Sequence, residues 1–249
     1  MTMICVSLID KTVSSLTASA KECKALGGDI IEIRLDCIKE PVSIKTLKRL
    51  SLLHKADTPE IILTIRPTWE GGKFEGFEER RIDMLEDGIR LGFDYVDIEL
   101  NMDETKRNQL IEKAKKNGVK TIISYHNFEK TPVWKEIFNL IKECANNGGD
   151  IAKLVFKNNL YSDALSILKA CSAAHYLNYK FSVMGMGPLG HITRILAPAM
   201  GCEMVYASLG VDKNVVEGQV DVKTLREMWN ILNFGKIKKG LEKSANINW

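Results

Sequence analysis

In the segment Ile30-Ile31-Glu32-Ile33-Arg34-Leu35-Asp36, ionisable and branched apolar residues alternate one for one. Read as a strand, it places Glu32, Arg34 and Asp36 on one face and Ile31, Ile33 and Leu35 on the other. The same alternation sets Asp97 and Glu99 together and puts Lys153 between Ile151 and Val155, while Arg66 and His126 close two further apolar runs. A lysine flanked by apolar residues, with arginines nearby, is pushed toward the neutral amine, the form that attacks a carbonyl carbon to make a Schiff base. A histidine at a strand end is the commonest proton shuttle; Glu70, in the Trp-Glu-Gly-Gly stretch soon after Arg66, would orient it, set its tautomer and support its cationic form. Arginines add a planar fork for an anionic ligand, above all a carboxylate. The alternative is structural: an interior salt-bridge network that fixes register, with Lys153 neutralised by Glu32 or Glu99 and His126 a satisfied strand-end residue.

Residues so placed need strands that converge. Apolar, β-branched runs recur over Met3 to Ile9, Ile30 to Asp36, Ile61 to Arg66, Tyr95 to Leu100, Thr121 to His126, Ile151 to Lys157, Phe181 to Met186 and Met204 to Leu209. Between most of them lie segments with helical spacing, such as Ile82, Leu85 and Ile89, or Ile137, Ile141 and Cys144. Thr131-Pro132 reads as an N-cap and first helical residue, and Gly27-Gly28, Gly92, Gly118 and Gly148-Gly149 read as helix stops. The repeat of about 25–35 residues is the rhythm of βα units with parallel strands. The expected fold is α/β, a (β/α)8 TIM barrel forming a single domain over residues 1–249. A doubly wound open sheet would carry its signature near the first βα turn, where none is found. Helices cover the outer face of every barrel strand, so the charges must point inward or to the C-terminal rim, where this fold keeps its active sites.

The 249 residues hold 35 Lys and Arg against 32 Asp and Glu, interleaved along the chain, for a formal net charge of +3. Such a balance predicts no nucleic-acid partner. No apolar stretch approaches the roughly 18–20 uncharged residues of a membrane span, and the N-terminus lacks the features of a secretory signal. A cytoplasmic protein with no membrane partner is expected. The six cysteines form no CxxC pair and sit mostly in apolar runs, as buried thiols do in a reducing compartment. Gly185-Met-Gly187-Pro-Leu-Gly190 matches a dinucleotide fingerprint by letter only, since it encloses Pro188 and has no acidic ribose partner downstream; an anion cup is the more that it could be. The four histidines form neither HxH nor HExxH, so no metal site is expected.

The ordered blocks from Val6-Ser7-Leu8 to Glu217-Gly-Gln219 resemble those of the type I 3-dehydroquinate dehydratases of the shikimate pathway. Between them lie Glu32-Ile-Arg34-Leu-Asp36, Thr64-Ile-Arg66-Pro-Thr-Trp-Glu70-Gly-Gly, Asp97-Ile-Glu99-Leu, Ser124-Tyr-His126-Asn-Phe-Glu-Lys-Thr-Pro132, Asp150-Ile-Ala-Lys153, and Met184-Gly-Met186 with Arg194. The resemblance implies a lyase that dehydrates 3-dehydroquinate to 3-dehydroshikimate without a cofactor, in a homodimer. It further implies that Lys153 forms the Schiff base, His126 moves protons and Glu70 supports His126. Ser7, Glu32, Arg34, Arg66, Arg194 and Gln219 would then hold the substrate, with Arg194 as carboxylate clamp. Two departures stand out: Val215-Val216-Glu217-Gly218-Gln219 replaces a motif that commonly reads Ser-Ala-Pro-Gly-Gln, and the chain begins almost at its first strand, without the N-terminal hairpin of some relatives. The resemblance, with loop position, also makes Gly210 to Gln219 a candidate lid. The rival readings are another class I Schiff-base barrel such as an aldolase, and a non-catalytic binder of a carboxylated metabolite.

Overall fold

The computed structural model describes residues 2–53, 59–210 and 216–234. The strands are β1 (Met3–Leu8), β2 (Ile30–Arg34), β3 (Glu60–Thr64), β4 (Tyr95–Glu99), β5 (Lys120–Asn127), β6 (Ile151–Lys157), β7 (Phe181–Met186) and β8 (Met204–Ala207). They alternate with helices α1 (Val13–Ala25), α2 (Ile44–Ser51), α3 (Glu78–Leu91), α4 (Glu104–Lys116), α5 (Trp134–Asn146), α6 (Tyr161–Tyr176), α7 (His191–Ile195) and α8 (Val222–Ile231). The strands pair in parallel in the order β7-β6-β5-β4-β3-β2-β1-β8. Across the remaining seam, the Glu203 amide donates to the Phe181 carbonyl and the Ser182 hydroxyl to the Met204 carbonyl, each at 2.8 Å. The sheet thus curls into the expected (β/α)8 barrel.

Alternation along the strands separates two cores. Ile31, Ile33, Ile61, Leu63, Val96 and Ile98 join the helices' Leu16, Leu47, Leu85 and Leu110 in the outer layer. Cys5, Ile30, Ile62, Tyr95, Ile122, Ile151 and Met204 fill the inside of the barrel. These inner residues come mostly from the beginnings of the strands, so the charged residues stand above an apolar floor. Lys153 lies in register with Ser124 on β5 and Ser182 on β7, two small neighbours that leave a long side chain room to extend.

Loop chemistry departs from the sequence reading at several ends. Thr131 does not cap α5, whose N-cap is Val133; its hydroxyl donates instead to the Lys157 carbonyl at 2.8 Å, tying the β5 loop to the end of β6. Asp36 lies in a 3-10 turn over Leu35–Cys37, outside β2, and there accepts the backbone amides of Arg66 at 3.2 Å and Lys73 at 3.0 Å. Gly92 follows α3 in the left-handed conformation expected of a helix stop, at φ 74°. All six cysteines are buried and free.

Helix α3 does more than cover the barrel. Its Arg81 is fully buried and reaches between strands to Glu99 Oε2 at 2.6 Å and the Ile65 carbonyl at 3.2 Å, while Glu78 holds the other edge of the guanidinium at 2.6 Å. Removing one partner of a buried pair leaves the other uncompensated. Arg81→Met should therefore lose about 3 kcal/mol of stability, the low end for such a break because Arg66 stays on Glu99. Urea unfolding is the check, and a midpoint equal to that of the parent would show that the pair contributes nothing.

Candidate active site

A cavity of about 400 Å³ opens among the C-terminal ends of the strands, lined by Ser7, Glu32, Arg34, Arg66, Glu70, His126, Lys153, Arg194 and Gln219 together with apolar residues from β6, β7 and β8. Every site residue named from the sequence reaches it. They arrive from distant parts of the chain because strand ends are where the barrel converges.

Lys153 is buried on β6, and its Nζ donates to Glu32 Oε1 at 2.6 Å and Asp97 Oδ2 at 3.0 Å. The sequence offered either a neutral amine with arginines nearby or a structural lysine paired with Glu32 or Glu99; the structure places two carboxylates on it, Glu32 and, instead of Glu99, Asp97. Asp97 was legible as an inward residue but was not among the site candidates. Glu32 is held further by the hydroxyls of Ser7 at 2.5 Å and Thr64 at 3.1 Å. Burial pushes Glu32 up, but Lys153 and Arg34 outweigh it, so its carboxyl lies below the usual range. Asp97 is depressed in the same way: burial is opposed by Arg66, Lys153 and the Ser124 hydroxyl.

Arg66 spreads its guanidinium over protein acids. It donates to Asp97 Oδ1, Glu99 Oε1 and Ser124 Oγ at 2.7 Å each, and its Nη1 lies 3.6 Å from Glu70 Oε2. Arg34 likewise grips Asp36 in a fork, at 2.9 and 2.7 Å. Arg194 is different. Its guanidinium donates to the backbone carbonyls of Gly185 and Tyr206, so it bridges the β7–β8 seam, yet no carboxylate of the described residues pairs with it. Burial alone pushes it down to about 10, still far above neutral pH, which leaves an unneutralised cation at the cavity wall.

His126 ends β5 with Nδ1 2.9 Å from Glu70 Oε2. Glu70 closes a 3-10 turn over Thr68–Glu70, and the two glycines after it let the loop fold back. Gly71 is left-handed at φ 73°, and a Cβ on Gly72 would sit 2.0 Å from the Arg66 carbonyl oxygen. Phe128 lies against Gly71 and stacks on the His126 ring, with centroids 6.0 Å apart. Burial, with Arg66 and Lys153 nearby, holds His126 well below its ordinary value. Burial, opposed by Arg66 and aided by the carboxylates of Glu99 and Asp97, pushes Glu70 up to about 8. Burial thus favours the neutral form of both partners in the ligand-free site.

Deprotonation of the raised acid leaves a carboxylate to accept Nδ1–H and frees Nε2 as a base. The ligand-free enzyme's kcat/KM should therefore rise with pH as the pair loses its proton, toward about 8. Glu70→Gln should move that limb to lower pH, because the depressed histidine then titrates alone. A pH–rate profile unchanged in the variant would dissociate Glu70 from the base.

Backbone contacts hold the loop that follows β7. The amide of Gly187 donates to the Glu217 carbonyl, that of Gly190 to the Gly187 carbonyl, and that of Gly185 to Thr193 Oγ1. The amides of Gly185, Gly187 and Gly190 are thus bonded within the protein. Its glycines serve close approach instead, since a Cβ on Gly190 would lie 2.4 Å from the Gly185 carbonyl carbon. Residues 211–215 of the candidate lid, with Val215, lie outside the described residues. Beyond them Glu217 pairs with Lys157 at 3.2 Å across the cavity mouth, and Gln219 Oε1 accepts the Val216 amide at 3.4 Å.

Fold and site define a (β/α)8 enzyme whose chemistry sits at the strand ends. The sequence model of the type I 3-dehydroquinases matches residues 4–235. The 3-dehydroquinate dehydratase of Methanococcus maripaludis strain S2 is 37% identical over 93% of this chain and all of that protein, and that of Methanocaldococcus jannaschii is 34% identical over 93% of this chain and 99% of that one. Among solved structures, the type I 3-dehydroquinate dehydratase of Clostridium difficile, with covalently modified comenic acid, superposes with a TM-score of 0.86 at 27% identity, covering 93% of this chain and 92% of that one. The chain belongs to the type I 3-dehydroquinase family. Its activity is accordingly the dehydration of 3-dehydroquinate by the Schiff-base route of the shikimate pathway. No helix of the described residues is long and apolar enough to cross a membrane.

Proposed function

We propose that Lys153 is the nucleophile, His126 the proton shuttle and Arg194 the carboxylate clamp for 3-dehydroquinate. The observation that carries this reading is the seat of Lys153: a buried amine, held by Glu32 and Asp97, on the wall of the cavity that His126 and Arg194 also line. The ketone carbon adds the amine and loses water, and the resulting iminium acidifies the adjacent CH2. His126 takes a proton from that carbon, the electrons rest in an enamine, and the β-hydroxyl leaves as water with His126 as acid. Hydrolysis of the imine releases 3-dehydroshikimate.

Glu32 and Ser7 sit where they meet ligand hydroxyls beside the nucleophile, with Arg34 and Gln219 on the same rim. Arg66, bonded to Asp97 and Glu99 and close to Glu70, acts through the charges around Lys153 and His126. An aldolase would use the same lysine, but the unneutralised Arg194 favours a ligand with a carboxylate. The test is borohydride reduction with 3-dehydroquinate, followed by intact mass and peptide mapping. A ligand-dependent adduct on Lys153 is expected; bound ligand without adduct would leave only a binding protein.

A homodimer, common in the family, is the proposed assembly. Sedimentation equilibrium at micromolar concentration should give twice the chain mass, and a single-chain mass would reject it.

A further inference from the structure

Besides its two carboxylates, Lys153 has a third neighbour, which the sequence reading passed over. Its Nζ stands 4.2 Å from the ring centroid of Tyr206, within the range of a cation–π contact. Tyr206 follows Met204 by two on β8, so it faces into the barrel, where it packs with Val155, Met184 and Met186 and lines the cavity. It is 4% exposed. Its hydroxyl lies buried beside the Cys5 thiol. Burial, with Glu32 and Cys5 nearby, holds the phenol well above its ordinary value, so the ring is neutral and presents its negative face.

We propose that the ring of Tyr206 is a positioning residue for the covalent intermediate, seating the cationic nitrogen of Lys153 both before and after it condenses with the ketone.

The argument rests on Lys153 being the Schiff-base nucleophile. Overall, an ammonium and a ketone give an iminium and one water, so the positive charge stays on the nitrogen while its hydrogens fall from three to one. With a single N–H, the nitrogen can keep at most one of its bonds to Glu32 and Asp97. Attraction to a ring face needs charge and proximity rather than a particular hydrogen, so it persists through the change. Because it keeps the nitrogen in place while its bonds to Glu32 and Asp97 are given up, it should accelerate adduct formation. It should leave ligand capture at Arg194 alone, since that guanidinium meets Tyr206 only at its backbone carbonyl.

The test is single-turnover formation of the borohydride-trapped adduct, with steady-state kcat and KM, in Tyr206→Phe and Tyr206→Leu. Phe keeps the ring and should stay within about twofold of the parent; Leu should form adduct and turn over about 3- to 30-fold more slowly, with KM nearly unchanged. A series of increasingly fluorinated phenylalanines at position 206 keeps the shape and drains the ring face, guarding against a Leu variant that fails to fold. Adduct formation should fall in step with fluorination. A flat series, or Phe as slow as Leu, would overturn the role of the ring. Absence of any adduct on Lys153 in the parent would instead overturn the nucleophile assignment, so the two failures are separable.

Discussion

Lys153→Ala should abolish turnover, with a fall of at least about 10⁴-fold and no borohydride-trapped adduct. The variant removes the electron sink, and no other amine contacts both Glu32 and Asp97 among the described residues. It also takes from Glu32 its ion-pair partner and leaves Asp97 with Arg66 alone, which should cost about 3 kcal/mol at neutral pH. The sign of the pH dependence follows from the depressed Glu32 and Asp97. A carboxyl whose folded value is lowered contributes stability above its unfolded value, and that contribution is lost as pH falls through the folded one. Without Lys153 both carboxyls lose a cation that depresses them. The stability gap between parent and variant should therefore be widest near neutrality and narrow below about pH 4, as their unfolded counterparts protonate. Urea unfolding at both pH values measures it. Appreciable activity in a folded Lys153→Ala protein would sink the covalent scheme.

The second large effect is expected at His126. His126→Ala should still form the adduct on Lys153, while elimination slows by about 10²- to 10⁴-fold. Its mark is the species that accumulates: the trapped adduct should carry the mass of reduced substrate, not of dehydrated product. Stability should suffer less than in the lysine variant. The imidazole is held neutral, and Glu70, already raised to about 8, stays protonated when its partner is gone, so no charge is stranded. Turnover at the parental rate would remove His126 from the mechanism.

These effects are separable because the site has two electrostatic halves. Around Lys153, charges are paired and carboxyls depressed. Around His126, burial dominates and both partners are driven toward neutrality. Arg66 touches both halves, through Asp97 on one side and Glu70 on the other.

The sequence by itself determined the barrel and the membership of the site. Period-2 alternation in β2, β4 and β6 decides which residues face inward, because a strand's side chains have no other choice of face. Glu32, Asp97 and Lys153 were therefore legible as a group before their contacts were known. What alternation cannot supply is which inward residues from non-adjacent strands meet, and how protonation follows. Lys153 and Glu32 are 121 residues apart, and only the closure and stagger of the barrel decide that Asp97 bonds to the lysine while Glu99 turns to Arg66 and Arg81. The neutral His126–Glu70 pair has the same origin. Glu70 reaches the histidine through a glycine-dependent turn, and its raised pKa is set by burial, with Glu99 and Asp97, groups far away in sequence, adding to it. Electrostatic energies depend on distance and solvent exclusion, and both are properties of the closed barrel rather than of any segment of its chain.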